Sequence, residues 1–206
     1  MKITEKILGI IIVLSIVLKF FHIPGSSFFL VLSTSTLMML YFYVGFAMFN
    51  GILLKEIFKK KTYDGISTLR IIGAFFSGIG LSTILTGILF RLQHWPGGNF
   101  QLMIGLIFSG IIMILLILKY IKGKELFYKE ILIRFVIIGF FGLILFYTTD
   151  YSIDKIRYRN YPDYVKALDD LQQNPQSEEL RKKADYEYNK IIFTEEELEY
   201  MNIKEN

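Results

Sequence analysis

The chain holds two histidines, and both stand in the same setting. Lys19-Phe20-Phe21-His22-Ile23-Pro24-Gly25 recurs 72 positions later as Arg91-Leu92-Gln93-His94-Trp95-Pro96-Gly97. An imidazole titrates near neutral pH and can pass protons or ligate metal. In each copy a cation lies three residues before the histidine, so the two side chains share one helical face. A cation and an imidazole at the edge of an apolar run could handle protons, ions or an anionic solute. Haem or metal ligation by the two histidines lacks the carboxylates or thiolates that would complete a site, and the chain contains no cysteine. No metal and no cofactor are expected. The alternative reading is structural: Lys19 and Arg91 snorkel to water while His22 and His94 cap their turns. Pro24 and Pro96 then end the helix, Gly25 and Gly97 allow the reversal, and Trp95 anchors at the membrane interface.

The elements that must position these turns are apolar. Of 206 residues, 53% are hydrophobic and the mean hydropathy is +0.44, which points to a membrane protein. Five runs approach the roughly 20 residues that cross a bilayer: about 6–22, 27–50, 71–92, 99–120 and 131–149. The expected architecture is an all-α integral membrane protein of five transmembrane helices with a small helical C-terminal tail. Its transmembrane domain covers 1–149, with hairpin repeats at about 6–50 and 71–120, and a soluble segment covers 150–206. The first run reads as an uncleaved anchor, because a small-x-small cleavage site after it is weak. Gly73, Ala74, Ser77, Gly78, Gly80, Ser82 and Gly87 give the third run a surface for close helix packing.

Aligning 19–33 with 91–105 adds Phe28/Phe100 and Leu30/Leu102 to the matched histidine, proline and glycine. Each repeat unit contains two crossings, so the copies run parallel about an axis along the membrane normal. Residues 1–149 carry 14 Lys/Arg against 5 Asp/Glu, net +9, whereas 150–206 carry 9 against 14, net −5. Lysines and arginines gather in the 55–70 and 119–134 connections, which places these and the N-terminus inside. Both His-x-Pro-Gly turns and the tail then lie outside a bacterial cytoplasmic (inner) membrane that the chain crosses several times. The basic residues track membrane edges without a nucleic-acid-binding motif, so nucleic acid is excluded as a partner.

The Lys-x-x-His turn between two apolar helices resembles the N-terminal membrane hairpin of the GldL family. GldL proteins are cytoplasmic-membrane motor components of gliding motility and type IX secretion. Residues 19–46 carry the likeness best, and 91–118 repeat it. The resemblance implies that Lys19, and by repeat Arg91, stand where the family's basic residue stands. The family's membrane glutamate, implicated in use of the proton gradient, is absent: Leu37 and Ser109 align with it. The long cytoplasmic coiled region is absent too. No acid falls in the middle of any expected span, and an arginine does not release protons at physiological pH, which argues against an autonomous proton-driven motor.

The tail is expected to form one helix from about Tyr161 to Gln173 and another from Ser177 to about Phe193. Val165, Leu168 and Leu171 line the first; Leu180, Ala184, Tyr188 and Ile191 line the second. Thr194 to Glu197 has capping-box spacing. A pair this small should pack on the outer membrane-domain surface, a second copy or a partner. No nucleophile–base pair or paired carboxylates accompany it, so the chain reads as non-enzymatic. Two functions stay open. One is a scaffold or accessory subunit of an envelope complex, contacting the lipid bilayer and either envelope proteins or itself. The other is a small-solute or ion transporter that uses the interface between the repeats.

Overall fold

A computed structural model describes residues 2–194 and 196–198. Among these residues the regular structure is helical throughout. The chain divides into two compact units, Met1–Thr148 and Thr149–Asn206.

The first unit contains α1 (Lys2–Phe20), α2 (Ser26–Phe49), α3 (Thr68–Leu92), α4 (Gly98–Gly123) and α5 (Leu126–Tyr147). Four of these, α2 to α5, are long and apolar enough to cross a membrane. The fifth expected span, α1, is not among them. Its 19 residues include Lys2, Glu5, Lys6 and Lys19, so its uncharged stretch is only Ile7 to Leu18. The 119–134 connection shrinks to Lys124 and Glu125, because α4 continues to Gly123 and α5 begins at Leu126. Lys129 and Arg134 therefore belong to a helix, not to a loop. Two short 3₁₀ turns, Leu54–Glu56 and Lys60–Tyr63, fill the longer connection between α2 and α3.

The centre is α3, which packs on α2, α4 and α5, while α1 packs on α2. The small residues of α3 make this possible. A Cβ on Gly78 would sit 2.3 Å from the Tyr41 carbonyl oxygen of α2, and one on Gly87 would sit 2.5 Å from the Leu102 Cα of α4. Both contacts are backbone to backbone, as expected where apolar solvent gives no hydrophobic drive and van der Waals contact must hold the helices. Gly73 lies outside this surface, with nothing within 4 Å of its Cβ position. Arg70 gathers the opposite helix ends: its Nε donates to Asn50 Oδ1 at 2.8 Å, and its guanidinium lies 3.3 Å from Glu125 and 4.1 Å from the Phe127 ring centre.

The second unit contains α6 (Asp150–Arg157), α7 (Pro162–Gln173) and α8 (Glu178–Ile192). The sequence pattern locates α7 and α8, including Pro162 in the first turn and Ser177 as the N-cap accepting from the Leu180 amide. The short α6 carries three acids and bases within five residues and gives no long apolar stripe. Its Ile153 and Arg157 are nevertheless buried. In α7 the buried positions are Tyr164 and Ala167, one step from the expected 165/168/171 stripe. Tyrosine side chains explain the shift. Tyr158 stacks edge-on against Tyr164 at 5.1 Å and Tyr188 at 5.6 Å, so rings join Ile153, Ala167 and Ala184 in the core. Burial raises the Tyr158 and Tyr164 phenols well above their ordinary range. Hydrogen bonds from Lys155 and Tyr151 hold the Asp169 carboxyl below its own. Thr194 and Glu197 form the reciprocal capping box: the Thr194 amide donates to Glu197 Oε2 at 2.9 Å, and the Glu197 amide donates to Thr194 Oγ1 at 3.4 Å.

Replacing Gly78 with leucine should separate α2 from α3 and lower stability by about 2 kcal/mol or more, whereas Gly73→Leu should change it little. Thermal unfolding of both variants in the same detergent checks this; equal melting temperatures would remove the small-residue surface from the account.

Candidate functional site

The two histidines share one backbone conformation. α1 ends at Phe20, and His22 adopts φ 57°; α3 ends at Leu92, and His94 adopts φ 55°. In the first copy the Ile23 amide donates to Leu18 O at 3.1 Å and the His22 amide to Lys19 O at 3.2 Å. In the second, the Trp95 amide donates to Phe90 O at 2.8 Å and the His94 amide to Arg91 O at 3.2 Å. These bonds close the helix ends with a left-handed residue just past the cap residue, a place usually taken by glycine or asparagine. Histidine is among the residues enriched in that conformation. Gly25 and Gly97 follow at φ 84° and 81°, each as the N-cap of the next helix. Proline between the two left-handed residues completes a reversal of only a few residues. His22, Pro24, Gly25, His94, Trp95, Pro96 and Gly97 are all exposed. Trp95 also stands edge-on to Phe90, ring centres 5.2 Å apart.

The matched cations have different surroundings. Lys19 is half-buried, and its Nζ donates to Ser27 Oγ at 2.9 Å and to Gln93 Oε1. Gln93 in turn donates through Nε2 to the Ser27 carbonyl at 3.3 Å, so the two turns are laced together. Arg91 is only 4% exposed. Its Nη2 donates to the carbonyls of Leu145, at 3.3 Å, and Thr148. A buried guanidinium at the C-terminal end of α5 satisfies carbonyls that have no helical partner and complements the helix dipole. Lys19 thus bonds to groups of the two turns, and Arg91 to the end of α5.

A third cluster lies at the other end of the first unit, and the motif search did not find it. Arg134 holds Glu5 through two parallel bonds, Nε to Oε1 at 2.5 Å and Nη2 to Oε2 at 2.7 Å. The Tyr41 hydroxyl donates to Glu5 Oε1 at 2.6 Å. Arg134 Nη1 donates to the Glu130 carbonyl at 2.7 Å, and the guanidinium faces the Phe49 ring at 5.4 Å. The Glu5 and Arg134 side chains are 13% and 16% exposed. The signal that could have found it is Arg134 itself: an arginine three residues inside an apolar run demands a partner, and Glu5 is the acid nearest the start of another run. Leu37 and Ser109, where the GldL-type acid is missing, are both buried. Ser109 Oγ and Thr34 Oγ1 have no hydrogen-bond partner among the described residues. No group of three or more metal-binding side chains occurs among those residues.

Residues 71–132 match the GldL N-terminal domain family. The matched segment spans α3, α4 and the first turns of α5, and it contains the second turn with Arg91, His94, Trp95, Pro96 and Gly97. It does not include 19–46, the part expected to carry the likeness best. No curated protein and no solved structure matches the chain.

The Glu5–Arg134 pair generates a quantitative expectation. Removing either charge leaves the other buried and unpaired, at a cost of about 3 kcal/mol, and removing both should cost little more than one. A double-mutant cycle with Glu5→Gln and Arg134→Leu, read by chemical or thermal unfolding, tests this. Strictly additive losses would mean that the two side chains are not coupled.

Proposed function

We propose that the chain is a non-enzymatic membrane protein of the GldL type, serving as a scaffold or accessory subunit of a bacterial envelope complex. The observation that carries this reading is the family match across 71–132, set among helices long and apolar enough to span a bilayer. The hairpin of α1 and α2 is read as a second copy of the matched hairpin of α3 and α4, making five crossings. Closely similar φ angles at His22 and His94, and at Gly25 and Gly97, support the duplication. The division at 149/150 is read as the boundary between membrane and soluble parts. Lys19 and Arg91, with the histidine turns, serve in this reading to lock the outer ends of the bundle. Arg91 bound to the end of α5 favours that role over solute transport.

The acidic unit from residue 149 is read as the partner-contacting part. Deleting 149–206 should remove the envelope proteins that co-purify after cross-linking in native membranes, while the truncated chain still inserts. An unchanged set of partners would sink the assignment of the tail.

The N-terminus and the Lys-rich connection are placed in the cytoplasm and the tail outside it. The absence of native cysteine makes this directly testable. A cysteine at Ser177 should react with an impermeant maleimide on intact cells or spheroplasts, and one at Lys61 only after permeabilisation. The reverse pattern would invert the topology.

A further inference from the structure

The first unit leaves a groove between α1 and α5. Because α1 packs on α2, and α5 on α3 and α4, a space of about 730 Å³ stays unfilled above the floor made by α2 and α3. Leu37 and Leu85 belong to the floor; Ile12 and Ile16 face it from α1, Ile133 and Ile137 from α5. The groove is open sideways: Val13, Ile133 and Ile137 on its rim are 60%, 48% and 65% exposed.

Three features select the occupant. The first is length. The lining positions on α1 run from Glu5 to Val17, a rise of about 18 Å. One leaflet of the hydrocarbon core is about 15 Å deep, half of what a spanning helix needs. The second is the character of the walls. Where helices of this unit touch, glycines let the backbones meet, as at Gly78 and Gly87. Gly9 is the one glycine lining the groove among the described residues, and nothing stands within 4 Å of its Cβ position. Branched aliphatic walls keep a helix backbone at a distance but accommodate a flexible chain. The third is charge. The charged lining residues, Glu5, Lys6, Glu130 and Arg134, all gather at one end, where Glu5 and Arg134 hold each other and Lys6 is exposed.

We propose that this groove holds one acyl chain of a glycerophospholipid, with its phosphate beside the Lys6 ammonium. The apolar length takes the chain and the charged end takes the headgroup, in the leaflet that meets the N-terminal end of α1. This site is independent of the scaffold reading: it concerns what fills the bundle, not what the tail contacts.

The test uses the full chain in nanodiscs of equal parts phosphatidylethanolamine and phosphatidylglycerol, released into the gas phase and weighed with whatever lipid it retains. The wild type should keep one phospholipid per chain through a detergent wash that strips the rest. Gly9→Phe and Ile133→Trp fill the groove from opposite walls, and each should lower that retention at least about tenfold. Melting temperatures equal to the wild type's separate exclusion of lipid from misfolding, and either variant alone suffices. Lys6→Gln should lower retention of both lipids; no change would overturn the headgroup placement. Unchanged retention in both groove-filling variants, or no retained lipid in the wild type, would overturn the site. A photoreactive side chain at position 137 should cross-link to lipid in native membranes; capture of a second copy or another protein there would overturn it equally.

Discussion

The close approach of α2 and α4 to the backbone of α3 is the constraint from which the first unit follows. Lipid tails are as apolar as leucine, so helices surrounded by them gain little from burying apolar side chains against one another. Contact must come from packing distance, and distance from the absence of side chains at Gly78 and Gly87. With α3 flanked in this way, α2 and α4 take opposite sides of it and α5 adds to the pair that α3 and α4 form. α1 packs chiefly on α2 and reaches α5 through the Glu5–Arg134 pair. The space between α1 and α5 is the geometric remainder of that arrangement, held at one end by the Glu5–Arg134 pair.

Helix ends impose the second condition. A backbone carbonyl left without a partner in an apolar medium costs several kcal/mol, so every reversal must satisfy its own ends. Both His-x-Pro-Gly turns meet this with the same pattern of amide-to-carbonyl bonds and the same pair of left-handed residues. The imidazoles therefore have a conformational reason to stand where they do, before any chemistry is assigned to them. The end of α5 meets the condition differently, by accepting hydrogen bonds from Arg91. Lys19, at the matching place in the first copy, has no fifth helix to serve and binds Gln93 and Ser27 instead. The two cations, 72 positions apart in the sequence, thus bind different groups.

Much of this was legible in the sequence, because apolar length, proline–glycine punctuation and small-residue clustering act locally. The helices α2 to α5, the turns at Pro24 and Pro96, and α7 with α8 follow from those signals. Others depend on which helices become neighbours. Nothing near Glu5 in the chain indicates that Arg134, 129 residues away, will grip it. The 119–134 segment read as a basic connection because lysines crowd it, yet helical hydrogen bonding runs through nearly all of it. In the second unit the stripe expected for α7 was aliphatic, while Tyr164 and Ala167 are its buried positions and Tyr158, outside both expected helices, packs against Tyr164 and Tyr188.

The position of the acid bears most directly on mechanism. In the GldL resemblance a carboxylate in the second helix of the hairpin stands opposite a cation in the first. Here the positions that the resemblance aligns with that acid, Leu37 and Ser109, are buried and carry no titratable group. The acid that does enter the bundle, Glu5, sits at the beginning of α1 and is tied by both oxygens to a guanidinium that stays charged at any physiological pH. A tyrosine hydroxyl takes a further acceptor position on it. Three charge-assisted bonds converge on its two oxygens. Glu5 thus fastens α1 to both α2 and α5 at one end of the first unit.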